Sequence, residues 1–138
     1  MRVVVIDSSV TLGFLLRDEQ SDSALKIFEA IENGAETHVP SLWWMETANG
    51  LLMAERRKRI SQTQTTEALQ MIQMLDVQTD TETSSQVVKE TVSLARQYGL
   101  TVYDAAYLEL SMRRHATLAT ADKQLEKAAR SVGVKILS

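Results

Sequence analysis

The sequence has 138 residues, a net charge of -3, 44% hydrophobic and 24% charged residues and no Cys. This length fits a single domain, at roughly 100 to 200 residues each, and the composition excludes disordered, collagenous and coiled-coil chains. Without Cys, thiol catalysis and thiolate metal sites are excluded, and with only His38 and His115 as imidazoles any metal must be held by oxygen.

Arg2 to Ile6 is a short β-branched run, as expected of a strand buried on both faces. Asp7, Ser8 and Ser9 then offer capping side chains for a helix over Val10 to Leu16. They also interrupt the apolar stretch, so it is no signal peptide, and the expectation is a cytoplasmic protein without a membrane segment. Ser21 caps a second helix whose stripe is Leu25, Ile27, Phe28 and Ile31 and whose stop is Gly34 after Asn33. Thr37 to Val39 reads as a strand ended by Pro40, and Ser41 as the cap of a long helix running to about Arg59. Helical spacing continues over Ser61 to Leu75, followed by a short extended stretch at Val77 and a polar loop from Thr79 to Ser85. A helix from Ser85 to Tyr98 stops at Gly99, and another spans Tyr103 to Arg114. Thr117 to Ala119 is a strand, Ala121 to Ser131 a helix with Gly133 as its stop, and Val134 to Leu137 a closing strand. Strands alternating with helices indicate an α/β fold with a mostly parallel sheet.

Ligands of such sheets lie beyond the carboxyl ends of the strands, where Asp7 and Asp122 fall. Asp7 is the only charge between Val3 and Leu16, Glu46 the only one between Leu42 and Ala54, and Asp104 the only one from Gln97 to Leu108. Each has a plain structural explanation. Asp7 can cap a helix, Asp104 can charge the first turn of one, and Asp122 can do the same with Thr120 as cap. Glu46 can share a narrow wet face with Asn49 and Gly50. Their recurrence at separate element starts is less easily explained. Carboxylates about 4 Å apart repel by roughly 4 kcal/mol at a dielectric of 20, so convergence would call for cations. Oxygen-only ligands favour magnesium or manganese, which activate water and stabilise charge on a phosphodiester.

Asp7 with Ser9 after a hydrophobic strand, Pro40 followed by Glu46 and Asn49, Tyr103-Asp104-Ala105 with Tyr107, and Leu118 to Asp122 followed by Leu125 together resemble a PIN domain. The similarity is strongest to the small VapC-like ribonuclease toxins of toxin-antitoxin pairs, and it covers nearly the whole chain. It implies a PIN-like α/β/α sandwich with a central mostly parallel sheet, over 1–138. It also implies that Asp7, Glu46, Asp104 and Asp122 meet in one acidic pocket that binds Mg2+ or Mn2+ and cuts RNA with a metal-activated water. Ser9, Asn49 and Thr120 match positions that orient the acids or the waters. A cognate VapB-like antitoxin and a homodimer are implied as partners. Some relatives carry a further acid after the last one, where this chain has Lys123 and Gln124.

The run Arg56 to Arg59 is read as solvated cations closing a helix, and Arg113 and Arg114 likewise. Trp43 and Trp44 could stack on bases, although core or interface placement is commoner for aromatics in an apolar helix. A haloacid-dehalogenase-like phosphatase would need a second acid two positions after Asp7, where Ser9 stands. The alternative from another class is a non-catalytic PIN-like module that binds RNA or protein.

Overall fold

Val4, Val5 and Ile6 are fully buried, which requires cover on both faces and a strand on each edge. In the computed structural model, which describes residues 2–137, β1 (Val3–Ile6) accordingly lies between β2 (Glu36–Pro40) and β4 (Thr117–Ala119). β3 (Val77–Asp80) pairs with the far side of β2, giving the order β3-β2-β1-β4. All of these pairings are parallel.

Parallel strands need crossovers, and the helices supply them. From β1 to β2 run α1 (Ser8–Leu15), a 3-10 turn at Arg17–Glu19 and α2 (Asp22–Glu32). α3 (Leu42–Arg56) and α4 (Gln62–Gln73) lead to β3, α5 (Ser85–Tyr98) and α6 (Val102–Arg113) lead to β4, and α7 (Lys123–Ser131) follows. The chain steps outward from β1 to β3 and then returns to add β4 on the other side of β1. Because such crossovers are right-handed, this reversal puts α1 to α4 on one face of the sheet and α5 to α7 on the other. α6 touches β1, β2 and β4, with α5 and α7 packed beside it. On the opposite face, Phe14 of α1 stacks on Phe28 of α2 with ring centroids 4.1 Å apart. No helix among the described residues is long and apolar enough to cross a membrane.

Several elements depart from their sequence reading. Pro40 ends β2 as its last paired residue, opposite Asp80 of β3, and the strand starts one residue earlier than read, at Glu36. Its missing N–H is harmless there because β1 has already left β2 at His38. Ser41 precedes α3 without a side-chain cap bond. α3 stops at Arg56, Lys58 has a positive φ of 61°, and Arg59 bonds Asp18 through two nitrogens and Glu19 through one. Arg59 is therefore a tie to the 3-10 turn and not a free helix-end cation. The stretch read as a polar loop begins two residues late, since Thr79 and Asp80 belong to β3. Asp122, not Thr120, caps α7, and the expected closing strand shrinks to one bridge between Leu118 and Ile136. Gly50 lies against α1: a Cβ there would meet Leu12 Cδ1 at 2.3 Å, so the glycine allows close helix approach and is no part of a wet face.

Asp80 and Glu109 are nearly buried, and both bond to Arg113 through two nitrogens at 2.9 Å. Arg113→Ala would strip Glu109 of its cation and leave Asp80 only Arg114, at 3.7 Å, costing about 3 kcal/mol in chemical denaturation at pH 7. Arg113 also holds the Asp80 carboxyl below its ordinary value of 3.8. That stabilisation is present above this value and is lost as pH falls through the lowered one, so wild type and variant should converge in acid. At the end of α5, Gly99 sits at φ 66° with only Gln124 Nε2, 3.5 Å away, near a hypothetical Cβ. Gly99→Ala should thus cost about 1 kcal/mol from backbone strain alone, measured as a lower melting temperature.

Candidate active site

The reversal of chain direction between β1 and β4 opens a crevice beyond their carboxyl ends. Asp7 leaves β1 there, and its N–H donates to Ala119 O at 3.1 Å, which keeps the two strand ends in register. Its carboxylate is only 4% exposed. Oδ1 accepts from Val10 N at 3.0 Å, capping α1, and from Ser9 Oγ at 2.7 Å, while Oδ2 accepts from Thr120 Oγ1. The structural and functional readings of Asp7 are thus compatible in one side chain. Ser9 Oγ accepts from Ala121 N and Thr120 Oγ1 from Asp122 N, each at 3.0 Å. Asp122 uses Oδ1 to cap α7 through Gln124 N and Leu125 N.

Asp104 enters from the first turn of α6, where Thr101 Oγ1 accepts its N–H at 3.0 Å. Burial raises its pKa, and the like charge of Asp122 raises it further against an opposing bond from Thr101. Asp7 is also pushed above the usual carboxylate range, chiefly by burial, with Asp104 adding repulsion and hydroxyl and amide donors opposing. Glu46 comes from α3, half-buried, with Oε1 accepting from Tyr107 Oη at 2.6 Å and from Ser8 Oγ at 3.4 Å. Asn49 stands exposed one turn further along α3 and makes no side-chain bond among those described.

The structure therefore brings Asp7, Asp104 and Asp122 into mutual electrostatic reach and joins Glu46 to them through Tyr107, which lies in the field of Asp7. It does not close them into a cage: among the described residues no three His, Asp or Glu side chains are gathered tightly enough to enclose an ion. Carboxylates repel, and Asp7, Glu46 and Asp122 are anchored by their own hydrogen bonds, so the acids line one crevice without meeting at a point. None of the four takes part in a described salt bridge, whereas Asp80, also at the carboxyl end of its strand, is fully occupied by Arg113. The donor set is oxygen alone, because His38 is buried in β2 beside Glu36 and His115 is exposed. These residues fit a hard divalent ion that keeps several waters.

Trp43 is fully buried and cannot stack on bases. Its Nε1 donates to Thr11 Oγ1 at 3.0 Å, and Thr11 Oγ1 donates to Asp7 O at 2.7 Å, so the indole fixes α3 to α1 beneath the site. Trp44 Nε1 is tied to Thr79 at 3.0 Å. Sequence reasoning gave Ser8 only a capping role and Tyr107 only a place in the motif, and it tied neither to Glu46. The signal for Tyr107 was its spacing, three residues after Asp104 on one face of α6.

The burial of Asp7 yields a stability prediction for the metal-free protein. A carboxyl whose pKa is raised on folding binds more protons folded than unfolded, so it destabilises at neutral pH and is relieved as pH falls through the raised value. Asp7→Asn retains an acceptor for the α1 cap. It should melt higher than wild type in chelator at pH 7, at roughly 2 to 4 °C per kcal/mol. The difference should shrink toward pH 4.

The family model described as PIN domain matches residues 4–131. Ribonuclease VapC3 of Pyrobaculum aerophilum is 29% identical over 122 residues, covering 88% of this chain and 91% of that one. The crystal structure of PAE2754 from the same organism has a TM-score of 0.73 at 19% identity, covering 99% of this chain and 84% of that one. VapBC2 from Rickettsia felis, solved bound to a DNA fragment from its promoter, has a TM-score of 0.65 at 14% identity, covering 99% of this chain and 97% of that one. With a four-stranded parallel sheet between two helical layers and a family match over nearly its whole length, the chain belongs to the PIN domain family.

Proposed function

We propose that this chain is a divalent-metal-dependent endoribonuclease and the toxin of a type II toxin-antitoxin pair. The observation that carries the proposal is the set Asp7, Glu46, Asp104 and Asp122, drawn from four separate elements to one sheet edge and without a cationic partner among the described residues. The similarity to Ribonuclease VapC3 supports RNA as substrate, and the likeness to VapBC2 supports a VapB-like antitoxin as partner.

In this reading the four acids hold Mg2+ or Mn2+. The ion, when bound, would neutralise their field, lower the pKa of water and stabilise charge on the phosphodiester. The remaining work falls to the chain. Ser9 and Thr120 donate to opposite oxygens of Asp7 and fix its plane, while Asp122 is held by its own helix N-terminus. Asp104 presents its carboxylate from the first turn of α6, and Asn49 is available to water or substrate beside Glu46. Without a counter-ion this edge would repel an RNA phosphate, so the same acids that need the cation also make RNA approach depend on it. An antitoxin that blocks the site would be expected to bring a basic side chain into this field. A homodimer is the assembly the family resemblance implies, and sedimentation of the isolated chain tests it.

Incubating a mixed pool of labelled RNAs with magnesium, with manganese and with chelator tests the activity. Cleavage should require the ion, and Asp104→Asn should slow it by at least about 100-fold. Absence of cleavage in every condition, together with absence of manganese binding by calorimetry, would favour a non-catalytic RNA- or protein-binding module.

A further inference from the structure

The phenol of Tyr107 is 1% exposed, so its one hydroxyl must find its partner inside the protein. It donates to Glu46 Oε1 at 2.6 Å, a short bond to a carboxylate across 61 residues of sequence. Ser8 Oγ adds a second, longer donor to the same oxygen at 3.4 Å. Oε2 of Glu46 accepts no described hydrogen bond, so the two hydroxyls settle which oxygen is held and which is free. Glu46 itself is half-buried on α3, where an unheld Glu side chain would have several rotamers open to it.

Tyr107 also lies on the same face of α6 as Asp104, one turn earlier in that helix. A single rigid ring thereby links two site acids that come from opposite faces of the sheet. Resting on the metal-site reading above, we propose that Tyr107 is a positioning residue: its hydroxyl locks Glu46 Oε1 so that Oε2 is presented to the divalent cation in register with Asp104. The ring touches neither substrate nor ion. Its contribution is made through Glu46.

Manganese titration by calorimetry on the full chain reads this directly, independent of RNA cleavage. Tyr107→Phe keeps the ring and removes only the donor, and it should weaken manganese binding by roughly 10- to 100-fold. Ser8→Ala should weaken it less. If Tyr107 acts through Glu46, then in the Glu46→Gln background the Tyr107→Phe change should have little further effect on affinity. A Tyr107→Phe protein that binds manganese like wild type would overturn the assignment while leaving the metal site intact. Equal losses with and without Glu46→Gln would also overturn it, because they mean that the ring acts on the fold and not on that carboxylate. Wild type that binds no manganese would overturn the metal-site reading itself, and this inference with it. Should Tyr107→Phe fail to fold by circular dichroism, Ser8→Ala reads the same oxygen: unchanged affinity there would count against the proposal, and a measurable loss would support it.

Discussion

An aspartate that is 4% exposed and has no cation beside it among the described residues is the constraint around which the rest of this molecule is arranged. Burying such a charge is tolerable only if donors crowd its oxygens, and Asp7 takes three, from Val10, Ser9 and Thr120. Those bonds start α1, bind the loop after β1 to the loop after β4, and leave Ser9 and Thr120 free to order Ala121 and Asp122 in turn. The carbonyl of the same residue receives Thr11, which carries Trp43 and hence α3. One residue therefore sets the spacing of three helices against the sheet edge. Its electrostatic strain is not relieved locally, since Asp104 adds repulsion to the desolvation.

The acids of this fold divide into two kinds. Asp80, Glu109, Asp18 and Glu19 face guanidinium groups, Arg113 for the first two and Arg59 for the others, and their charges are spent on holding elements together. Asp7, Glu46 and Asp122 face hydroxyls and amides instead, and Asp104 faces the like charge of Asp122. Hydroxyl donors orient a carboxylate without neutralising it, so this second group keeps its negative field. The distinction is one of chemistry and not of position, because Asp80 also ends a strand on the same side of the sheet.

Much of this was readable from the chain alone, and the failures have physical causes. β1 was legible because a strand covered on both faces is an unbroken β-branched run, and the site acids stood out as lone charges in apolar company. β3 was truncated because its exposed residues Gln78 and Thr79 look like loop when only composition is read. The last strand was overread: β4 has three residues, so Val134 to Leu137 finds little ladder to join and makes a single bridge. Arg59 looked like a solvated cation because its partner Asp18 lies 41 residues away, and Arg113 because Asp80 lies 33 away, although its other partner, Glu109, stands one turn back on α6. The same distance hides which hydroxyls serve which acid. Local patterns report burial and periodicity, whereas hydrogen-bond partners are settled by topology.

The sheet order also has a consequence for synthesis. Of the four strands β1 is made first but sits in the middle, and its neighbour β4 is made last, so the bond from Thr120 to Asp7 joins residues 113 positions apart. Translation at about 5 to 20 residues per second puts on the order of ten seconds between the two. Through that interval one edge of the central strand is open and Asp7 lacks its second anchor. The nascent chain cannot assemble this site until β4 and the turn after it have left the ribosome, so the acids can come together only after every other strand of the sheet has been made.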